Sequence, residues 1–346
     1  EERSEGSSRF KIFKWLPQYL KWYFYGLSTT WLKKKPEDTE QNKWNFIFMI
    51  KKTFLVTGGT GFIGSNICKL LLKKNYKVKI FDNNFRGSLN KIANIKKKVK
   101  FIRGDIRDKK SLNKAMKGTN AVIHLAYING TKFFYTKPIL TLDIAMKGII
   151  NVIDLCIKNK IKELYLASSS EVYQTPDKIP TDESEPLRIP DVFNPRYSYG
   201  GGKILTELMG IHYGKKYFKK LIIFRPHNVY GPDEGKEHVI PDFISKLKSI
   251  NKKNKKFEIQ GSGREIRSFI YIDDFVNAFN SILTHGKHLN IYNIGTDERI
   301  RIIDLAHKMA KIFNKKISIK KKSLLKGSTK YRVPSVKKIK KLGFKK

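Results

Sequence analysis

The sequence predicts an α/β protein, a doubly wound parallel sheet with a smaller lobe interleaved with it. Three observations carry that reading. A short apolar, β-rich run, Thr53-Phe54-Leu55-Val56-Thr57, leads into Gly58-Gly59-Thr60-Gly61-Phe62-Ile63-Gly64 and then a helical stretch to Lys74. Further strand-like runs recur at 77–81, 99–103, 121–125 and 163–167, with helical segments between them. Hydroxyl groups and a carboxylate, Ser168-Ser169-Ser170-Glu171, stand directly after the last of these runs. Strands alternating with helices build parallel sheets with right-handed crossovers, and such sheets bind ligands at the carboxyl ends of their strands.

The glycine segment sits between strand and helix, where dinucleotide binding needs it. Gly58 suits a tight turn, Gly61 lets backbone approach a pyrophosphate, and Gly64 permits close packing of helix on strand. Phe62 and Ile63 open the helix, whose first N–H groups are free to meet a phosphate. The order of elements favours this over a purely structural turn, and makes the sheet Rossmann-like.

Asp82 ends the second run, eighteen residues beyond Gly64. A carboxylate there accepts ribose hydroxyls and repels a 2′-phosphate, which points to NAD rather than NADP. Arg86, four residues on, would soften that preference. Asp105 and Ile106 fall where an adenine edge would lie, and Leu125 and Ala126 end the fourth run beside the expected cleft. His124 reads as a packed core histidine.

Tyr199 and Lys203 flank Gly200-Gly201-Gly202, and a four-residue spacing places both on one face of a helix. Among 16 tyrosines about two or three such spacings are expected by chance, but this is the one that occurs. Three glycines cost a helix about 1 kcal/mol each relative to alanine. Their presence suggests that small residues let the helix lie close to a cofactor. A free tyrosine titrates near about 10, too high for a base at neutral pH. A neighbouring ammonium and a positive nicotinamide would lower it, so Tyr199 could take a proton from a hydroxyl that Ser169 also bonds.

Composition bounds the remaining classes. At 346 residues with 40% apolar content, the chain can bury a full core. Its formal charge of +41 would suggest nucleic acid, but it comes from 58 lysines and 13 arginines spread along the chain, loop 252–256 included. Specific phosphate recognition favours the guanidinium fork, so no specific nucleic-acid partner is expected. Cys68 and Cys156 lack metal-ligand spacing and read as reduced thiols of a cytoplasmic protein; no metal is expected.

All four tryptophans lie in the first fifty residues. Residues 1–48 are expected to be a tail outside the catalytic domain, with Met49 an ordinary start. The alternative is a basic, aromatic surface helix over 10–32 that touches a membrane. It is too polar for a confident span.

With these motifs in view, residues from about 50 to 340 resemble the extended short-chain dehydrogenase/reductase family, particularly its nucleotide-sugar epimerases and dehydratases. The resemblance rests on the 57–64 glycine turn, Ser168 to Tyr173, the Tyr199/Lys203 pair, Arg225-Pro226-His227-Asn228-Val229-Tyr230-Gly231-Pro232, and Arg267-Ser268-Phe269-Ile270-Tyr271-Ile272-Asp273-Asp274. It implies NAD as cofactor and catalysis by Ser169, Tyr199 and Lys203. Substrate would be held by Ser170, Asn228, Val239, Arg267 and Arg332. For Asn228 a turn-forming role stands as an even alternative. A homodimer joined through helices 141–158 and 198–216 is also implied.

The expected division is an NAD-binding domain over 49–230, to which 264–295 returns, and a substrate lobe from 231–263 and 296–346, apparently truncated at its C-terminus. Three departures are read: Tyr127 and Gln174 replace a usual small residue and a usual glycine, and a last helix typical of the family is expected to be missing.

An epimerase needs only Ser169, Tyr199, Lys203 and NAD, and 4-epimerisation of a nucleotide hexose through a 4-keto intermediate is the leading expectation. A 4,6-dehydratase needs a further acid and base, which Glu171 could supply; a nucleotide-glucuronate decarboxylase also resembles this site. The alternative for Glu171 is a structural carboxylate, and the alternative for the whole chain is a non-catalytic binding or scaffold relative.

Overall fold

The computed structural model describes residues 51–251 and 255–346. Expectations about residues 1–48 lie outside the described residues.

β1 (Thr53–Thr57) leads through the glycine turn into α1 (Phe62–Lys73), and β2 (Lys77–Asp82) is followed by a 3-10 segment (Leu89–Lys98) and β3 (Val99–Arg103). Next come α2 (Lys109–Met116), β4 (Ala121–His124), α3 (Thr131–Thr136), α4 (Pro138–Lys158) and β5 (Glu163–Ala167). A 3-10 turn (Ser170–Val172) precedes α5 (Tyr197–Tyr217), β6 (Lys220–Pro226), β7 (Val229–Tyr230) and α6 (Val239–Ser249). The remaining elements are β8 (Lys256–Gln260), β9 (Ile266–Arg267), β10 (Ile270–Tyr271), α7 (Ile272–His285), β11 (Asn290–Ile294), β12 (Ile300–Arg301), α8 (Ile302–Ile312), β13 (Ser318–Lys322), β14 (Tyr331–Arg332) and α9 (Lys337–Lys340).

Seven parallel strands form the main sheet in the order β11-β6-β5-β4-β1-β2-β3. The strand order reverses direction between β1 and β4, which opens a crevice at their carboxyl ends. Both faces are covered, so the central strands are apolar throughout rather than alternating with polar residues. The pleat still sorts them. Phe54 and Val56, Ala121 and Ile123, and Ile222 and Phe224 join one apolar layer with Ile67 and Leu71 of α1 and Phe275 and Phe279 of α7. Leu55, Val122, Leu164, Leu166, Leu221 and Ile223 point the other way, onto Leu112 of α2 and Ile149, Val152 and Ile153 of α4.

The helices begin where local chemistry allows. Asp108 caps α2 by accepting bonds from the Lys110 and Ser111 N–H groups, and Pro138 occupies the first turn of α4. A separate apolar cluster joins Phe243 and Leu247 of α6, Phe257 and Ile259 of β8, and Ala306 and Met309 of α8, with β13 paired in parallel to β8.

Two local readings change. β4 ends at His124, one residue earlier than periodicity marked, with the Leu125 N–H making the last ladder bond, to the Thr57 carbonyl. β6 and β11 extend the sheet beyond the five runs that periodicity marked; β11, Asn-Ile-Tyr-Asn-Ile, carries too many polar residues to stand out. Cys68 and Cys156 are buried and unbridged.

Candidate active site

The crevice is built first from backbone. Gly58 has φ +72°, and a Cβ there would lie 2.7 Å from the Ala126 nitrogen. At Gly64 a Cβ would lie 2.2 Å from the Gly58 carbonyl oxygen, so only glycine lets α1 start this close to the turn. Gly58, Gly61, Asp82, Asp105, Ile106, Leu125 and Ala126 line one cleft, as the sequence reading expects of a cofactor site, while Phe62, Ile63 and Gly64 stand at the N-terminus of α1. No acidic residue occupies the first turn of α1, which leaves its N–H groups suited to a phosphate. The cradle that a Cβ would fill, the uncompensated helix start and the carboxylate at the far end together fit a dinucleotide.

Asp82 is anchored in the cleft wall: Oδ2 accepts from the Thr60 N–H at 3.0 Å and Oδ1 from the Asn84 N–H at 2.8 Å. Arg86 also lines the cleft, but it lies over the Phe133 ring and 2.9 Å from Glu237, an ion contact without hydrogen-bond alignment. His124 is buried with Nδ1 2.8 Å from the Thr57 hydroxyl, and burial pulls its pKa down to about 3, as expected of a neutral core histidine.

Beyond β5, Ser169 adopts extended backbone and its Oγ accepts from the Glu171 N–H, which starts the 3-10 turn. The turn brings Glu171 beneath the start of α5, where Tyr199 and Lys203 are both buried. The Ser169 hydroxyl favours the ionised form of the Tyr199 phenol, Phe134 stacks on the Tyr199 ring at 4.6 Å, and the Lys203 ammonium donates to the Ala167 carbonyl at 2.8 Å.

The electrostatics differ from the sequence expectation. Burial pushes the Tyr199 phenol well up from its ordinary value, against the Ser169 hydroxyl, which works the other way. Burial likewise pulls the Lys203 pKa down to about 7, opposed by Glu207. The protein alone therefore does not lower Tyr199, because desolvation of the phenolate, with the Glu171 charge, outweighs the Ser169 hydroxyl and the Arg332 charge.

Glu171 is clamped. Arg196 Nη2 reaches it at 3.0 Å and Arg332 Nη1 at 2.8 Å. Burial alone would raise its carboxyl, but the Arg332 and Arg196 charges overcome that and hold it below the usual carboxylate range. Arg267 is half-buried and donates to the Ile266, Thr329 and Lys330 carbonyls, tying β9 to the segment before β14. Burial and the nearby Arg332 charge bring its pKa down to about 9. Asn228 takes φ +35° and donates to the Ser268 carbonyl at 2.7 Å, the turn-forming behaviour weighed as its alternative. Ser170 is buried in the 3-10 turn, and Val239 opens α6 partly exposed.

The helix glycines make room for protein side chains. A Cβ at Gly200 would lie 2.9 Å from the Gln174 amide nitrogen and one at Gly202 only 2.1 Å from the Tyr127 hydroxyl oxygen. Tyr127 lines the cofactor cleft as well. Gln174 holds φ +50°, the left-handed backbone that explains why glycine is usual there, and its amide bonds the Glu171 carbonyl.

Arg196, Tyr127 and the buried pair Arg225–Glu207 were not read as site residues. The signal for the arginines was available: in a chain with 58 lysines, each of the 13 arginines has resisted the prevailing choice, which marks places needing a planar fork.

With the geometry in place, comparison with known proteins decides the family. The model described as NAD dependent epimerase/dehydratase family matches residues 54–295. The chain belongs to that family. It is a family of enzymes and its cofactor is NAD. Among curated family members, a "dTDP-D-glucose 4,6-dehydratase" of Dictyostelium discoideum is 33% identical over 270 residues, 75% of this chain and 61% of that protein. A protein of Methanocaldococcus jannaschii, provisionally named as a UDP-glucose 4-epimerase, is 36% identical over 256 residues, 72% of this chain and 79% of that protein. Among solved structures, the UDP-N-acetylglucosamine 4-epimerase from Methanobrevibacter ruminantium M1 superposes with TM-score 0.76 at 26% identity, covering 86% of this chain and 93% of that one. Both epimerases and dehydratases therefore stand among its relatives. Among the described residues no helix is long and apolar enough to cross a membrane.

Proposed function

We propose that this enzyme is a nucleotide-sugar epimerase that inverts a hexose carbon, C4 on the leading reading, through a keto intermediate. The observation that carries this is the state of Glu171. A dehydratase needs a further group that can take and return a proton, whereas this carboxylate is fixed between Arg196 and Arg332 and held ionised. An epimerase makes no such demand.

When bound, NAD supplies the acceptor and donor for the sugar's hydride. Tyr199 takes the proton of the hydroxyl at the reacting carbon and returns it afterwards. Ser169, whose hydroxyl favours the Tyr199 phenolate, orients that oxygen. Lys203, positioned by the Ala167 carbonyl, supplies positive charge on the same helix face. Arg267 and Arg332, with Ser170, Asn228 and Val239, are the residues proposed to face the nucleotide sugar. The cluster of α6, β8 and α8 would form most of its lobe.

A homodimer is part of the same reading. Ile139, Leu142, Met146 and Ile150 form an exposed apolar stripe on α4, with Leu208 exposed on α5, and such a stripe supports self-association through these two helices.

The identity to the Dictyostelium discoideum dehydratase keeps water elimination as the second reading. Incubation of the purified protein with UDP-, dTDP- and GDP-hexoses and with a UDP-hexuronate, followed by mass spectrometry and NMR, separates them. Unchanged mass with inverted stereochemistry supports the proposal. Loss of water or of carbon dioxide refutes it. A Tyr199→Phe variant that kept full turnover would refute the catalytic assignment as a whole.

A further inference from the structure

Tyr127 occupies a position where the resembling enzymes carry a small residue, and its side chain reaches the centre of the catalytic machinery. Its ring face lies 3.8 Å from the Lys203 ammonium, and its edge meets the Tyr199 ring at 5.1 Å and 85°. Its neighbour Ala126 and Tyr127 itself also line the cofactor cleft. We propose that Tyr127 is a positioning residue whose ring face holds the Lys203 ammonium charged and beside the Tyr199 phenol. This rests on reading Tyr199 and Lys203 as the reacting pair.

The geometry requires some such support. Lys203 is buried, and the hydrogen bond it makes among the described residues goes to one carbonyl, Ala167, although an ammonium carries three donors. The other groups facing it are few. From β4 comes His124, which is held neutral; from α5 come Tyr199 and, one turn further on, Glu207, engaged by Arg225 and Ser168. An aromatic face within about 6 Å stabilises a cation most where water is excluded, and this one replaces the missing donors' partners in part. Because burial brings the Lys203 pKa down to about 7, a modest stabilisation of the cation decides how much of it is charged at neutral pH.

Two details separate this from simple packing. The Tyr127 hydroxyl is buried without a hydrogen-bond partner, so the oxygen does not anchor the side chain; the ring does. The space for it exists because residue 202 is glycine, whose Cβ would lie 2.1 Å from that oxygen. The Tyr127 ring and the Gly202 gap thus form one device, with the ring held against α5.

The test uses the holoenzyme with the nucleotide sugar that it turns over, and reads kcat/KM against pH. Tyr127→Phe keeps the ring, so the alkaline limb, where Lys203 loses its proton, stays in place. The same ring carrying three and then five fluorines keeps the shape while draining the face of negative charge. The limb then moves to lower pH stepwise, by about one unit in total. Tyr127→Leu moves it as far, and the phenolate absorbance that Tyr199→Phe removes appears at higher pH. A limb that stays fixed through the fluorine series overturns the proposal, and those variants fold whenever Tyr127→Phe does. If Tyr199→Phe retained turnover, the reading of the reacting pair would fail instead. An inactive Tyr199→Phe with a flat fluorine series refutes Tyr127 alone.

Discussion

Replacing Glu207 by alanine tests how the floor of the site is held. Arg225 is 2% exposed, and four contacts satisfy its guanidinium. Nε donates to Glu207 Oε1 at 2.8 Å, Nη2 to Glu207 Oε2 at 2.6 Å, and Nη1 to the Tyr173 hydroxyl at 2.6 Å and the Glu183 carbonyl at 3.2 Å. Glu207→Ala removes both carboxylate bonds and leaves a buried cation facing a hydroxyl and a carbonyl. It also takes the acceptor from Ser168, the residue before Ser169. Breaking one side of a buried pair costs about 3–5 kcal/mol, a large part of the roughly 5–15 kcal/mol that holds a domain together. Urea unfolding at pH 7 at fixed protein concentration measures it as a fall in midpoint at unchanged slope. Removing both charges with Glu207→Leu and Arg225→Met should cost less than the single change, since the desolvation penalty disappears with them. A single variant within about 1 kcal/mol of wild type, or a double variant worse than it, would refute this account.

Other predictions follow from the same geometry. Gly64→Ala forces a Cβ to 2.2 Å from the Gly58 carbonyl oxygen; it should lose about 1–3 kcal/mol and, in thermal melts, the rise in Tm that NAD gives the wild type. Glu234 is half-buried with one carboxyl oxygen enclosed and unpartnered, and burial pushes its pKa up to about 8. Because the raised value belongs to the folded state, its favourable contribution is complete below about pH 4.5 and is lost as pH rises through 8. Glu234→Gln should therefore be more stable than wild type above pH 8, and equal stabilities at pH 9 would contradict the assignment. Glu237→Gln should free Arg86 for a 2′-phosphate and raise the ratio of NADP to NAD affinity about fivefold, the scale of a partly exposed ion contact, as read by fluorescence titration.

The cofactor half was legible because its signals are local. Strand, glycine turn and helix lie within about twenty residues of one another, and Asp82 follows at the end of the next strand, so spacing alone orders them. The 3-10 turn, by contrast, sits 25 residues from Arg196 and far from Arg332 in sequence, yet both meet Glu171. No periodicity links these positions. Gly200 to Gly202 were half legible for the same reason. Helix propensity exposed an anomaly there, but only the packing of Gln174 and Tyr127 explained it.

What the sequence by itself determined is the order of elements, the residue types at the crevice and the spacing of Tyr199 and Lys203, all set by short-range steric and hydrogen-bonding rules. What only the tertiary structure decided is the charge state of those groups. Desolvation raises Tyr199 and lowers Lys203, and two distant arginines hold Glu171 ionised. A pKa depends on burial and on charges across space, and neither is defined until the chain has folded.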